Sequence, residues 1–299
     1  MDFGALLYRA AAVGDVASLR ALVAQGVDVN VQDSADSEVT ALHWAAVNGQ
    51  AHAIRALVEL GADKEATTSP EAMPLHYAAR EGHVEAIKTL VQLGADKEAK
   101  AANGNTPLHM AAFGGSVAAI RALVELGADK HAKAANEGTP LHLAADKGHV
   151  AAIRALVQLG AQLGAKSAAG LTPLHVAAFM GQPEAIRTLV ELGAELEPKA
   201  IDGETPLQLS IRRGHPQAER VLTELLRTRN AAAERASEDV EVTAAVSKTR
   251  VCAACGKRSG TFAALRKCAG CQSVKYCSVA CQHVHWPVHK PSCAGPSVS

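Results

Sequence analysis

Apolar residues recur with a helical period through most of the chain. In residues 118–126, AAIRALVEL, they return at spacings of three and four, and residues 85–93 have the same pattern. Such spacing predicts an amphipathic helix with one face in a core. A shorter apolar stretch precedes each of these helices, and a glycine follows each, where a left-handed residue commonly ends a helix. We therefore predict a mainly α fold built from pairs of helices.

A short motif begins the first helix of each pair and recurs every 33 residues. In its Thr-Pro-Leu-His form, Thr106 can cap the helix and Pro107 suits the first helical position, which needs no amide donor. The copies end at His43, His76, His109, His142, His175 and Gln208. Since the histidines lie at equivalent places and do not converge on one centre, we interpret them as structural groups that hydrogen-bond between repeats.

The motif and its period resemble the ankyrin repeat, over residues 1 to about 230. The resemblance implies a solenoid of about seven helix-pair units, with an outward hairpin between successive pairs. The units are expected near residues 1–36, 37–69, 70–102, 103–135, 136–168, 169–201 and 202–230. The last unit carries Gln208 and several arginines, and a polar outer face suits a terminal cap.

The positions that vary within this regular array are the candidates for partner binding. In ankyrin folds the two residues after each Ala-Ala pair face a groove. The resemblance places there Phe113, Phe179, Met180, Arg80 and Lys147. Exposed phenylalanines would be anchors for a protein partner. The alternative is that both phenylalanines fill gaps between alanine-rich helices, and the sequence leaves these two interpretations open.

The repeat pattern stops at residues 231–250, AAAERASEDVEVTAAVSKTR. The alanines could extend the last helix for a turn or two, but Ser237, Glu238, Asp239 and Glu241 interrupt any apolar face. We expect a mostly flexible linker here, joining two domains without fixing their orientation.

All seven cysteines follow the linker. With one histidine they are spaced C-x2-C-x12-C-x2-C-x5-C-x3-C-x7-H-x3-C. The residues are Cys252, Cys255, Cys268, Cys271, Cys277, Cys281, His289 and Cys293. Eight such ligands in paired spacings suit two tetrahedral zinc ions, whose closed shells would be structural. The odd number of cysteines disfavours a disulfide framework.

The residues between these ligands resemble the MYND-type zinc finger over residues 252–293, in Tyr276-Cys277-Ser278, Cys281-Gln282 and Trp286. The resemblance implies a small cross-braced module, expected at residues 251–293 with a tail at 294–299, and it implies interleaved ligands. The first zinc would be held by Cys252, Cys255, Cys277 and Cys281, and the second by Cys268, Cys271, His289 and Cys293. Spacing alone also allows a sequential pairing.

MYND modules bind short proline-containing peptides, so the resemblance implies the same here. By position, Gln282 would supply a hydrogen bond and Trp286 apolar surface, beside a strand near Ser273–Tyr276. Ala269 stands where some members have a contacting serine, so the choice of peptide is expected to differ. The alternative role of Trp286 is packing against the second zinc site.

Charge and composition exclude several classes of protein. Lys+Arg and Asp+Glu both number 30, so the chain lacks the bulk positive charge with which many proteins bind nucleic acid. Residues 251–299 contain six basic and no acidic residues, but zinc-bound thiolates offset about three of those charges. We find neither a secretory signal nor a stretch of membrane-spanning length, which predicts an intracellular protein of the cytoplasm, the nucleus or both.

Together the two domains predict a non-enzymatic adaptor for protein partners. The array would bind one protein and the zinc module a short peptide of another, and the MYND resemblance suggests transcriptional or chromatin regulation as the setting. Two zinc ions are the expected cofactors, and we expect no small-molecule substrate and no membrane insertion. Two alternatives stay open: a part in a lysine methyltransferase system, and a nucleic-acid-binding regulator that uses the basic zinc module.

Overall fold

The structure of the protein is a computed structural model. It describes residues 3–33, 38–68 and 72–248, together with residues 266–267 and 275–276. The chain divides into two compact units, Met1–Leu226 and Arg227–Ser299. The eight predicted zinc ligands lie outside the described residues, as do Ala269, Gln282 and Trp286.

Helix pairs make up the described part of the chain from Phe3 to Lys248. In chain order the helices are α1 Phe3–Val13, α2 Val16–Ala24, α3 Ala41–Val47, α4 Ala51–Glu59, α5 Pro74–Glu81, α6 Val84–Gln92, α7 Pro107–Gly114, α8 Val117–Glu125, α9 Pro140–Asp146, α10 Val150–Gln158, α11 Pro173–Phe179, α12 Pro183–Glu191, α13 Pro206–Arg212 and α14 Pro216–Lys248. The first helices of successive pairs pack on one another, and so do the second helices up to α12. The predicted mainly α solenoid of seven helix pairs is confirmed.

The repeated motif explains where each first helix begins. Thr106 has an extended backbone (φ −89°, ψ 169°) and precedes α7, whose first residue is Pro107. Gly115 ends this helix with a φ of 73°, a left-handed conformation that glycine adopts without strain. The chain can therefore reverse within a few residues and enter α8.

Leucine, isoleucine and alanine fill the core. In the fourth repeat Leu108, Ile120 and Leu123 are fully buried, as are Ala111 and Ala112. Each large side chain contributes about 1.5–3 kcal/mol to folding by leaving water, while the alanines let neighbouring helices approach closely. Because equivalent positions are buried in the other central repeats, one continuous core runs along the array.

The motif histidines join each repeat to the next, as the sequence predicts. His109 Nδ1 accepts from the backbone N–H of Thr106 at 3.2 Å and from its hydroxyl at 2.9 Å. Since Nδ1 is an acceptor, Nε2 carries the proton and donates over 3.1 Å to the carbonyl of Gly138 in the following repeat. The equivalent acceptors for His43, His76, His142 and His175 are the carbonyls of Ala72, Asn105, Leu171 and Glu204.

A second set of hydrogen bonds runs in the opposite direction along the array. Here a residue in the turn between two paired helices donates to a carbonyl near the end of the preceding first helix. The donor–acceptor pairs are Gln50–Ala12, His83–Val47, His149–Phe113, Gln182–Asp146 and His215–Phe179. The backbone at Phe113 and Phe179 is thereby fixed by the repeat that follows.

The outward hairpins also hydrogen-bond to one another. Backbone N–H groups of Ala135, Ala168 and Ile201 donate to the carbonyls of Asn103, Asn136 and Ala169, each in the preceding hairpin. These bonds line up the last four hairpins beside the first helices of their repeats.

The linker differs from its prediction. Helix α14 continues to Lys248, so residues 231–248 are helical, where we expected a mostly flexible linker with a turn or two of helix. The segment from 217 to 248 contains no glycine or proline, and its many Ala, Glu, Arg and Leu residues favour helix even without an apolar face. No helix among the described residues, α14 included, is long and apolar enough to cross a membrane.

Two short strands are described in the second unit. β1 Arg266–Lys267 pairs antiparallel with β2 Lys275–Tyr276, with Arg266 opposite Tyr276. We predicted a strand near Ser273–Tyr276, and β2 forms the last two residues of that range. The first two, residues 273 and 274, lie outside the described residues.

Burial lowers the pKa of the motif histidines. Desolvation outweighs the opposing effect of the carbonyl hydrogen bonds and holds the pKa of His43 and His109 at about 4, against an ordinary value of 6.5. The pKa of His76, His142 and His175 is lowered for the same reason. Since the unfolded chain binds protons that the folded array does not, stability present above pH 6.5 is lost as the pH falls towards about 4.

We expect the free energy of unfolding to fall by about 1 kcal/mol per pH unit for each of His43 and His109, whose pKa is held at about 4, between roughly pH 6 and pH 4.5. His109→Gln removes one titrating group but keeps an acceptor for Thr106, just as Gln208 Oε1 accepts from the Thr205 N–H at 2.9 Å. Urea unfolding followed by circular dichroism should give this variant a slope shallower by about 1 kcal/mol per pH unit.

Leu108→Val is the matched control, because it weakens the core of the same helix without removing a titrating group. It should keep the wild-type pH slope at lower stability. If His109→Gln also kept the wild-type pH slope, the lowered pKa assigned to His109 in the folded array would be wrong.

Candidate protein-interaction surfaces

A groove of about 630 Å³ crosses the first helices of the fourth to sixth repeats, α7, α9 and α11. These helices supply an apolar floor that includes Phe113, Leu143, Val176, Phe179 and Met180. The hairpins supply a polar wall that includes Asn103, Asn105, Asn136 and Ser167. Because equivalent residues of stacked repeats become neighbours, side chains about one period apart in the sequence meet in this groove.

Three of the predicted groove residues line this floor. Phe113 is 37% exposed and Met180 is 39% exposed, while Phe179 is half-buried. Their exposure favours the interpretation of Phe113 as an anchor over that of a gap filler. Phe179 is intermediate in exposure, and the Arg213 guanidinium lies over its ring. Their role in partner binding stays a prediction.

Basic side chains of the following repeat cover both rings. Lys147 Nζ lies 4.6 Å from the centroid of the Phe113 ring, and Arg213 Cζ lies 3.9 Å from that of Phe179. Each pair is one period plus one residue apart in the sequence. A cation over an aromatic face contributes about 0.5–1 kcal/mol at an exposed site, so each pair also restrains its ring.

Most cations around the groove have a carboxylate partner. The ion pairs are Arg80–Glu81 at 2.8 Å, Lys147–Asp146 at 3.1 Å and Arg212–Glu204 at 2.8 Å. Since their side chains are partly exposed, each pair contributes about 0–1 kcal/mol to stability. Arg213 differs: among the described residues its guanidinium has no carboxylate partner and lies over the Phe179 ring.

Arg80 lines a smaller pocket of about 170 Å³ beside this groove. Its Cζ lies 5.6 Å from the centroid of the Tyr77 ring. Asn103 lines both cavities. The five predicted groove residues therefore belong to one continuous surface, which Lys147 joins through its contact with Phe113.

His109 and His142 also line the groove, but both nitrogens of each ring are occupied. Nδ1 accepts from the residue that precedes the helix, and Nε2 donates to a carbonyl of the next repeat. The pKa of each ring is lowered by burial. In this arrangement neither imidazole is free to act as a general base or as a metal ligand, which agrees with the structural role predicted for them.

The ligands of the predicted zinc sites lie outside the described residues. Zinc is therefore inferred from the chemistry of the ligand residues in the sequence. Among the residues that are described, no cluster of three or more His, Cys, Asp or Glu side chains could hold a metal ion. Seven cysteines and one histidine match the sulfur and nitrogen ligands that zinc prefers. In the sequence Cys268 directly follows β1, and Cys277 directly follows β2.

Comparison with known families identifies both domains. A family model described as "Ankyrin repeats (3 copies)" matches residues 7–101, 61–134, 94–167, 126–200 and 163–233, which together cover residues 7–233. A second model, described as "MYND finger", matches residues 252–293. This second match spans all eight predicted ligands, and zinc binding follows from the domain.

Similar proteins and solved structures agree with the first match. Human and mouse proteins named "Ankyrin repeat domain-containing protein 40" are 41% and 40% identical over 68 residues, which is 23% of this chain and 18% of each relative. The chain thus spans less than a fifth of these relatives' length. The crystal structure of the human ASB11 ankyrin repeat domain has a TM-score of 0.63 at 30% identity, covering 74% of this chain and 96% of that one.

Sequence reasoning missed the pairing of Arg213 with Phe179, and it missed Tyr77 and Leu143 as parts of the same surface. A signal was present, because Lys147 and Arg213 each follow a phenylalanine by one period plus one residue. The period predicts neighbours between repeats. It does not predict that a flexible basic side chain lies over the ring and not in solvent.

Gly114 lets the fourth repeat come close to the third. A Cβ at this position would overlap the carbonyl oxygen of Arg80. Its φ is not in the left-handed region, so the glycine is needed for space and not for backbone conformation. This close approach sets the distance between α5 and α7, and with it the positions of Arg80 and Phe113 on the groove.

We expect Gly114→Ala to destabilise the array by about 1–3 kcal/mol through overpacking, although alanine would otherwise favour the helix by about 1 kcal/mol. Urea unfolding measures the change. Gly164→Ala is the matched control, because a Cβ there meets no atom within 4 Å. Equal stability of the two variants would contradict the close approach at Gly114.

Proposed function

Because the chain belongs to the ankyrin repeat family and carries a MYND finger at residues 252–293, we propose that it is a two-site protein adaptor. Both domains are protein-interaction modules. The ankyrin groove binds one protein, and the MYND finger binds a short proline-containing segment of another. Joining two sites in one chain raises the effective concentration of one partner near the other.

The groove around Phe113, Phe179 and Met180 is the observation that carries this proposal. Two of these side chains are 37% and 39% exposed, whereas the leucines of the motif are buried in the central repeats. Aromatic residues and methionine are enriched at the centres of interfaces, where binding energy is concentrated. His149 and His215 hydrogen-bond to the backbone carbonyls of the two phenylalanines. The phenylalanines are therefore already ordered, and they lose little conformational entropy when a partner binds.

A non-enzymatic role is part of the proposal. In the described groove the ring nitrogens of His109 and His142 are occupied by structural hydrogen bonds, and Asp146 is paired with Lys147. These are the groups that would otherwise be candidates for acid–base chemistry. We therefore assign the surface to protein partners and not to a small-molecule substrate.

The zinc ligands are proposed to interleave. One ion is held by Cys252, Cys255, Cys277 and Cys281, and the other by Cys268, Cys271, His289 and Cys293. The MYND match over residues 252–293 supports this arrangement, because the ligands of that family interleave. Both shells are closed and structural, and metal binding supplies much of the finger's folding free energy.

The peptide site is proposed to lie beside β2, at whose end Tyr276 stands. β2 pairs with β1 on one side, and its other edge takes the peptide as an added strand. Gln282 supplies a hydrogen bond and Trp286 an apolar surface, while Ala269 in place of a serine alters the choice of peptide. We place this adaptor inside the cell, in the cytoplasm, the nucleus or both, with transcriptional or chromatin regulation as its setting.

Metal analysis of the purified full chain should give two zinc ions per molecule. Double variants test the pairing. Cys255→Ser with Cys277→Ser removes two ligands of one interleaved site and should leave one ion. Cys255→Ser with Cys268→Ser damages both sites and should leave none. The reverse outcome would support a sequential pairing and overturn the interleaved one.

Trp286→Ala should weaken binding of the full chain to synthetic proline-containing peptides by about tenfold or more, because it removes the apolar surface of the site. Fluorescence anisotropy measures the affinity, and zinc content should stay unchanged. His285→Ala is the neighbouring control, since His285 lies outside the matched ligand pattern. Equal peptide binding by the two variants would assign Trp286 to packing.

One variant in each domain tests whether the two sites are separate. In affinity capture by the full chain, Trp286→Ala and Phe113→Ala should each lose a different set of proteins, identified by mass spectrometry. Loss of the same proteins from both variants would contradict a two-site adaptor.

A further inference from the structure

We propose that the groove recognises a segment of its partner in which an apolar side chain stands close to a carboxylate, and that Arg213 binds this carboxylate. The inference rests on the proposed function of the groove and names the chemistry of its ligand. The apolar side chain enters between Phe113 and Met180, and the carboxylate meets Arg213 at the edge of the Phe179 ring.

The apolar half of this proposal follows from the floor of the groove. Phe113, Met180 and the side chains of Leu143 and Val176 line one cavity, and two of them are exposed large hydrophobics. A cavity of about 630 Å³ is of the size that buries a few side chains. Filling it with an apolar side chain removes from water the surface that the array leaves uncovered.

The acidic half follows from the charges around that floor. Each of Arg80, Lys147 and Arg212 has a carboxylate within ion-pair distance on the array itself. Arg213 has none among the described residues, so it is the cation that a ligand can pair with at no cost to an existing ion pair. Its position over Phe179 at 3.9 Å restrains the guanidinium plane, which leaves its edge for a bidentate contact with a carboxylate.

The geometry also sets the spacing and direction of the segment. Because Arg213 lies on Phe179 and Phe179 lines the apolar cavity, the two ligand groups bind in adjoining places. An extended segment advances about 3.3 Å per residue, so residues up to four apart, which span about 13 Å, can reach both. Asp146 lies at the middle of the groove, so the carboxylate points towards the seventh repeat, away from that negative charge.

Selection from a random peptide library tests the ligand chemistry. A phage-displayed library of 12-residue peptides is panned on the full chain, and binders to a Phe113→Ala chain are removed. Enriched peptides should carry an aromatic or large aliphatic residue within four positions of Asp or Glu. Enrichment of basic or uncharged sequences, or no enrichment over the Phe113→Ala chain, would overturn the inference while leaving the two-site capture result intact.

Charge reversal tests the role of Arg213 on a synthetic peptide from that selection. Arg213→Glu should weaken its binding about tenfold or more, and exchanging the peptide's acidic residue for Lys should restore binding to the Arg213→Glu chain and abolish it for wild type. Arg212→Gln is the matched control, since Arg212 is already paired with Glu204, and it should change affinity less than about twofold.

Two further controls distinguish binding at this site from nonspecific binding and from unfolding of the array. Ile201 is 78% exposed outside the groove, so Ile201→Ala should leave peptide affinity unchanged. Thermal unfolding of Arg213→Glu should match wild type within a few degrees, because Arg213 is exposed. If Arg213→Glu bound the peptide as Arg212→Gln does, or if random duplex DNA bound in competition with the peptide, the proposed ligand would be wrong.

Discussion

The buried histidine between repeats is the contact on which the array depends. His109 must accept from Thr106 and donate to Gly138 at the same time, which only the neutral imidazole with its proton on Nε2 can do. Both nitrogens of a buried ring are thereby satisfied, so the polar group can lie inside an apolar stack without the penalty of a lost hydrogen bond. Repetition of this contact fixes the distance and register between neighbouring helix pairs.

Because the register between repeats is fixed, positions that vary in the sequence lie side by side on one surface. Where each repeat is placed in the same way on the one before it, residues about one period apart become neighbours, and a row of variable positions forms the groove floor. Phe113 and Phe179 meet basic residues of the following repeats in this manner. Gly114 modifies the spacing locally, because the absence of a side chain lets α7 approach Arg80. The groove therefore depends on the regular positions as much as on the variable ones.

The predictable part of the structure is the part that repeats. The helix pairs, the helix start at Pro107 and the bridging role of His109 follow from local rules, and six copies of the motif reinforce one another. The cover of Phe179 by Arg213 did not follow, because a long basic side chain can adopt many rotamers of similar energy in solvent. Residues 231–248 were predicted wrongly for a different reason. The interrupted apolar face suggested a flexible linker, while the intrinsic helix propensity of these residues favoured the helix.

The two domains draw their stability from different physical terms. The array buries leucine, isoleucine and alanine in one continuous core and adds hydrogen bonds between repeats. A MYND finger has too few residues for such a core and relies on metal–thiolate bonds. Acid acts on both, since imidazoles in one domain and thiolates in the other must stay unprotonated. Loss of zinc acts directly on the finger alone. The burial and the hydrogen bonds that shape the groove therefore do not depend on the metal.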